Sequence, residues 1–467
     1  MTSVAAECST DPATGSALDA GVRVHADDRR HVWHPFTQMQ EHLALPALAI
    51  ASGQGGWLTD TEGRVYLDGN ASVWTNVHGH HDPDLDAALL DQLGRVAHST
   101  MLGLTHAPGA ELAAELTRLA PPGLDRVFFS DNGAGAVEVA LKMSFQYWQL
   151  TGRPEKSGVI GLAGGYHGDT FGAMSVGDSG FFHARFRPWC FPATHFPAPL
   201  CREWDGRVRQ ADATASLDAL RVLLAARADR TACLILEPSV QGAAGMRLQP
   251  PGFVREVAAL CRAHGVHLIL DEVFVAFGRL GPLLVCAEEA VTPDFLCLAK
   301  GLTGGYLPLA ATLAREEIFS AFLGSYASGR AFYHGHTFTG NPLAAAVALA
   351  NLRKLRSLDA AGTLRGRLAC FGRLLDQTFS SHPRVRELRQ RGFAAALDLA
   401  PSRDSAEGFP AGRRTGLQVC LRARDHGLLL RPLGDSLLLV PPLCLDESEL
   451  GELVHRTALA LDDVLPS

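Results

Sequence analysis

Apolar residues along this chain recur with two different periods. Between about 108 and 350, segments with helical spacing of apolar positions alternate with short, almost wholly apolar runs. That alternation predicts an α/β sheet covered by helices. PGAELAAELTRLA and AVEVALKMSFQYWQL predict helices; RVFFS, GVIGLAG, ACLILEP, VHLILDEV and PDFLCLAK predict strands buried on both faces. Upstream, WLTDTEGRVYLDG predicts a β-hairpin turning at TEG. Beyond about 355, helical segments alternate with GFAAALDLA and DSLLLVPPL, a smaller α+β unit. LAPSRDSAEGFPAGRRTG (399–416) reads as a loop. The expected division is an N-terminal arm with part of a small domain (1–76), a large domain with a mostly parallel central sheet (77–355), and a C-terminal small domain (356–467).

Composition narrows the function classes. The 467 residues are 47% hydrophobic and 19% charged, ordinary for a globular protein with a sizeable core. A net charge of −7 without a dense basic cluster argues against a nucleic-acid surface. Ten scattered cysteines, with no CxxC pair, read as reduced thiols of a cytoplasmic protein. MTSVAAECSTDPATGSALDAG lacks a basic segment leading into an apolar one and is expected to be a flexible arm. No apolar run approaches membrane-spanning length. The His-rich VHGHHDP has neither helical nor finger spacing, so no metal is expected.

The candidate chemistry sits at strand ends. Glu237, Asp271 and Lys300 each close an apolar run, and in open α/β sheets ligands bind at the carboxyl ends of strands. Alone, Asp271 fits a capping or ion-paired residue as well as a functional one. Lys300, between an apolar run and a glycine-rich turn, fits a snorkelling lysine or a desolvated amine of Schiff-base chemistry. The two together favour the second reading. A carboxylate at 271 would keep the pyridine nitrogen of pyridoxal 5′-phosphate (PLP) protonated, so that the ring serves as an electron sink. Glu272, next along the strand, faces the other way into hydrogen bonds or an ion pair. SDNGAGAVEVALKM supplies a glycine turn opening a helix whose first amides can hold a phosphate, a weak signal by itself. GGYHGDTFGAMS places Tyr166 and His167 after a strand, Tyr166 either on the cofactor's face or in the core. FYHGHTFTGNPLA offers Thr337 to the phosphate, from its own chain or a neighbouring one.

LDEV…FGR, LAKGLTGGYLP and HTFTGNPLA together resemble the class III PLP-dependent aminotransferases, and the likeness runs from about residue 30 to the C-terminus. HVWHPFTQM, HSTMLGLTHAP, GGYHGDTFGAMSVGD, EPSVQGAAGMR and LRPLG are most similar to the branch serving biotin biosynthesis, which uses S-adenosylmethionine. The resemblance implies the fold-type-I architecture and a homodimer with shared active sites. It also implies transfer from a small amino donor to an oxo acceptor. Lys300 would hold PLP as a Schiff base, Asp271 would meet the pyridine nitrogen and Tyr166 would stack on the ring. Gly133, Ala134 and Thr337 fall on phosphate positions, with His167 and Glu237 beside the cofactor. Phe36, Val73, Trp74, Phe274 and Gly335 face the substrate, and Arg431 falls where the family holds a carboxylate, a bidentate task suited to guanidinium.

Some positions depart from the family pattern. DGNASVW stands for DGMSSWW, so Val73 replaces a tryptophan beside the retained Trp74. HPFT stands for HPYT at Phe36, and DNGA for DSGS at Ala134. DEVFVAFGR stands for DEIATGFGR, HGHTF for HGPTF at His336, and LGL for FGG at Leu102. Grouped around one cavity, these changes imply a reshaped pocket. Beside the biotin-branch reaction stand two alternatives: amination of a different carbonyl compound in specialised metabolism, with weak activity on the biotin-branch pair, or decarboxylation or elimination by the same cofactor.

Overall fold

The computed structural model describes residues 17–45, 48–204 and 207–466. Most of the stretch expected to be a flexible arm lies outside them. Its last residues are instead helical, opening α1 (Ala17–His31), which a loop joins to the short α2 (Met39–Ala44).

Seven apolar runs pair into the central sheet. They are β1 (Arg126–Ser130), β2 (Gly158–Leu162), β3 (Thr194–Phe196), β4 (Thr231–Leu236), β5 (His267–Asp271), β6 (Phe295–Leu298) and β7 (Ala310–Ala314). Their order is β1-β7-β6-β5-β4-β2-β3. Pairing is parallel from β6 through β5, β4 and β2 to β3, while β7 runs antiparallel to both β6 and β1. Every residue of β4, β5 and β6 is buried, because helices cover both faces. That double burial is why these strands read as unbroken apolar runs. The long helix α3 (Gly133–Leu150) lies on one face, where its Ala136 carbonyl accepts the Thr312 hydroxyl of β7 at 2.8 Å.

Two four-stranded sheets accompany the central one. The hairpin Trp57–Asp60/Val65–Asp68 turns at the expected place and pairs in parallel with Leu428–Leu429. The other sheet joins Val385–Arg391, Ala394–Leu399, Ser436–Leu439 and Arg431–Leu433. The segment read as a loop from 399 is irregular except for a short helical turn at Ala411–Arg413, and a helix begins at Thr415. No helix among the described residues is long and apolar enough to cross a membrane.

Candidate active site

Parallel register brings the strand ends level. Leu270 pairs with Leu236 and Asp271 with Cys297, so Glu237, Asp271 and Lys300 emerge side by side from β4, β5 and β6. The end of β2 adds Tyr166 and His167, and the end of β1 adds Asp131, Asn132 and Gly133. These residues, with Ala134, Trp74 and Phe274, line one cavity of about 710 Å³.

Lys300 reaches this cavity from a strained backbone, with φ of 46°. A non-glycine residue in that region costs about 1–3 kcal/mol, so its surroundings must hold it there. Its Nζ lies 4.9 Å from the centre of the Trp74 ring and 5.6 Å from that of Phe274. Among the described residues it makes no hydrogen bond. Desolvation lowers its pKa, against the pull of the Asp271 and Glu237 charges. The amine is therefore biased toward its neutral, nucleophilic form.

Asp271 is buried and tightly held. One oxygen lies 2.7 Å from His167 Nδ1, and the other accepts the Val273 amide at 3.1 Å. Among the described residues, His167 Nε2 is buried without a partner. Glu272 turns away, as expected, and accepts the amides of Val285 and Cys286 at 2.7 and 2.6 Å. Glu237 accepts the amides of Tyr166 and Gly242, each at 3.0 Å, and burial pushes its carboxyl up to about 7. It thus ties the loop carrying Tyr166 to the turn packed beneath Trp74 and Phe274. Burial, and then its hydrogen bond to Asp169 at 2.7 Å, raises the Tyr166 hydroxyl.

At the β1 end, the Asn132 side chain caps α3 by accepting the Gly135 amide at 2.8 Å. The first turn of α3 carries no acidic residue. A Cβ on Gly133 would stand 2.6 Å from Val273, so only glycine fits this approach of backbone to strand end. The result is a set of helix-start amides at the edge of the cavity, a geometry suited to a phosphate.

Trp74 arrives by an unexpected route. Ala71, Ser72, Val73 and Trp74 all have positive φ, from 46° to 70°, forming a left-handed turn of non-glycine residues. Such backbone costs roughly 1–2 kcal/mol per residue. Asp68 accepts the Ser72 hydroxyl at 2.9 Å and Asn70 accepts the Trp74 indole N–H at 3.0 Å, which hold the turn. The turn aims Trp74 inward and Val73 outward.

The other residues singled out from the sequence are not in this lining. Phe36 is 55% exposed and Val73 44% exposed, and Thr337 and Gly335 are exposed. Arg431, half-buried at the start of its strand, lies close enough for its charge to act on the Tyr166 hydroxyl. Among the described residues its guanidinium has no hydrogen bond or ion pair. The substitutions taken to reshape one pocket are dispersed. Ala134 and Phe274 line the cavity, Val275 and Ala276 are packed behind it, and Leu102 is 68% exposed. The histidines of VHGHHDP also diverge: His78 is buried and lowered to about 4 by desolvation, His80 meets Asp68, and His81 meets Asp86. Asp169 and His183 brace Tyr166 by a hydrogen bond and ring stacking; Asp169 lay unremarked inside GGYHGDTFGAMS, and His183 carried no motif by which to find it.

Comparison with known proteins gives a consistent picture. The family model "Aminotransferase class-III" matches residues 38–461. The chain is 46% identical over 430 residues to the adenosylmethionine-8-amino-7-oxononanoate aminotransferase of Geobacter sulfurreducens, covering 91% of this chain and 94% of that protein. The crystal structure of the enzyme of that name from Methanocaldococcus jannaschii superposes with a TM-score of 0.90 at 37% identity, covering 95% of this chain and 99% of that one. An (S)-enantioselective omega-transaminase from Thermomicrobium roseum gives a TM-score of 0.87 at 32% identity, covering 95% and 98%.

Proposed function

Because the chain belongs to the class-III aminotransferase family, we propose that it transfers the amino group of S-adenosylmethionine to 8-amino-7-oxononanoate, with PLP in the cavity at the strand ends. The observation that carries this reading is the desolvated Lys300 amine, without a hydrogen-bond partner, facing buried Asp271 across a cavity that α3 opens onto. The residues present fit PLP: the start of α3 lines the cavity with backbone amides, and among the described residues Asp271 has no lysine or arginine as a hydrogen-bond or ion-pair partner.

PLP, when bound, supplies an aldehyde that takes up the amino group and a ring that withdraws electrons from the donor carbon. The chain's own residues do the rest. Lys300 Nζ would hold the cofactor and would carry protons at the reacting carbon. Asp271 keeps a proton on the ring nitrogen, with His167 fixing its orientation. The amides of Gly133 and Ala134 and the Thr337 hydroxyl receive the phosphate, while Tyr166 covers the ring. Trp74 and Phe274 exclude water, and Phe36, Val73 and Gly335 border the substrate path. Arg431 takes a substrate carboxylate with its two-pronged guanidinium.

The relatives' names favour this reading over a different carbonyl substrate or a decarboxylase, and the dispersal of the substituted positions supports it. The proposal includes a homodimer, because Thr337, Gly335, Phe36 and Val73 are exposed outside the cavity of their own chain. It also includes a cytoplasmic location, supported by buried thiols such as Cys233, Cys261 and Cys420. The division at 76 and 355 belongs to it as well, supported by the separation of the two four-stranded sheets from the central one.

Steady-state kinetics with the two named substrates test it. The expected kcat/KM is about 10⁴ M⁻¹s⁻¹ or more. Lys300→Ala should abolish turnover, and borohydride should fix the cofactor's mass to the Lys300 peptide of the wild type alone. Turnover of this pair no faster than in Lys300→Ala would overturn the substrate assignment. A cofactor still fixed to Lys300 would then leave the aminotransferase chemistry standing.

A further inference from the structure

The N-terminal arm is built inside out. From Val22 onward no residue of α1 is buried, and α2 buries none. Trp33 is 87% exposed, and Val22, Val24, Val32 and Leu43 are exposed too. Half-buried with Met39 and Leu45 are three polar side chains, Asp28 from α1, His34 from the loop and His42 from α2. A segment without an apolar core needs some other connection to hold two helices and a loop together.

Those three side chains converge. His34 Nε2 lies 2.9 Å from one Asp28 oxygen, and His42 Nε2 lies 3.4 Å from the other. The two imidazole rings are 4.2 Å apart between centres. One ligand atom from each residue falls within 4.8 Å of the other two. Zinc held by nitrogen and oxygen at about 2.0–2.1 Å sets neighbouring ligand atoms roughly 3.3 Å apart, so little movement is needed to enclose an ion. All three side chains keep one side open to solvent, where a water can complete four-coordination.

We propose that Asp28, His34 and His42 form a zinc site that clamps the N-terminal arm, separate from the cavity at the strand ends. Two imidazoles and one carboxylate suit a divalent transition metal and do not suit calcium or magnesium, which prefer all-oxygen shells. Each imidazole presents Nε2 to the ion and moves its proton to Nδ1, so neutral histidines bind without losing a proton to solvent. Closure of the site fixes α1 against α2 and holds the loop bearing Phe36 between them. The role assigned to the metal is structural, and no chemistry on substrate is asked of it.

The test uses the full-length, cofactor-loaded enzyme, stripped of metal with a chelator and titrated with zinc chloride by calorimetry. Metal content after dialysis is read independently. One zinc per chain is expected, with affinity falling at least tenfold in His42→Ala and in Asp28→Asn. Zinc should also slow proteolytic cleavage within residues 22–45 of the wild type and not of the variants. His42→Gln offers a second removal of the imidazole with similar bulk, should His42→Ala fold poorly. Absence of zinc binding overturns the proposal. So does binding that is unchanged in the variants, which would locate the ion at cysteines or elsewhere on the surface.

Discussion

Glu237 shows how a single buried carboxyl can couple the cavity to pH. Burial raises it from its ordinary value of 4.5 to about 7, and the Asp271 charge adds to the rise while His167 and the two backbone amides oppose it. Below about pH 4.5 the folded and unfolded chains both keep this proton. Between there and about 7 the unfolded chain has released it and the folded chain has not. This contribution to stability therefore falls as pH rises through that window, by at most about 3 kcal/mol. Glu272, also raised to about 7 by burial, adds a slope of the same sign. The stability difference between the wild type and Glu237→Gln isolates Glu237. Urea unfolding at pH 5, 6, 7 and 8 should show the wild type losing ground to the variant with each step. Parallel stability curves would mean that the carboxyl is ionised throughout.

At the scale of elements, one ion pair connects the C-terminal sheet to the cavity. Arg389 and Asp398 face each other across paired strands at 2.6 and 2.7 Å, and the same guanidinium donates to the Gly245 carbonyl at 2.7 and 3.0 Å. Gly245 lies on the loop that follows Glu237 and carries cavity-lining Ala243. Asp398→Asn leaves a largely buried guanidinium with Glu387, at 3.2 Å, as its one anionic partner among the described residues. Removing one partner of a buried pair costs about 3–5 kcal/mol, and the remaining Glu387 contact places the expectation at the low end. Although burial acts to raise it, Arg389 holds the Asp398 carboxyl below its ordinary value. The stabilisation is thus present above the unfolded carboxyl's pKa and is lost as pH falls through the lower folded one. Denaturation midpoints of wild type and Asp398→Asn should be well separated at pH 7 and converge in acid. A constant gap would assign the cost to packing rather than to charge.

Elements also differ in how far the sequence disclosed them. The strands of the central sheet were legible because burial on both faces leaves an unbroken apolar run ending at a polar residue. Asp271 and Lys300 stood out because their polarity contradicts that run. The left-handed turn at Ala71–Trp74 was not legible, since no local residue preference favours four positive φ angles without glycine; contacts from Asp68 and Asn70 impose it. Its consequence for Val73 was therefore hidden: the turn carries Val73 away from the cavity of its own chain and leaves it 44% exposed. Asp28, His34 and His42 were invisible for a related reason: they come from two helices and a loop, and their convergence depends on how the arm folds back.

At the scale of the whole molecule, the distribution of exposed site residues carries a prediction of its own. Lys300 and Asp271 line the cavity of one chain, while Thr337 is exposed on the segment between β7 and the helix Pro342–Ala360. Phe338 beside it, with His98 against one side of its ring, is still 60% exposed, and Tyr333 is 75% exposed. If Thr337 serves the cavity of a second copy, each active site draws Lys300 from one chain and Thr337 from the other. Two inactive proteins should then restore one another. Lys300→Ala lacks the amine, and Thr337→Glu sets a negative charge against the phosphate. Unfolded together and refolded, the mixture should contain heterodimers in which one site has both native residues and the other has neither. About a quarter of wild-type activity is the most that random pairing allows. Neither variant alone should approach that level, and light scattering should give the mass of two chains. Recovery of activity would require the shared site, because an active site complete within one chain cannot be repaired by a partner. A mixture no more active than its components, despite proven heterodimers, would return Thr337 to a purely structural role.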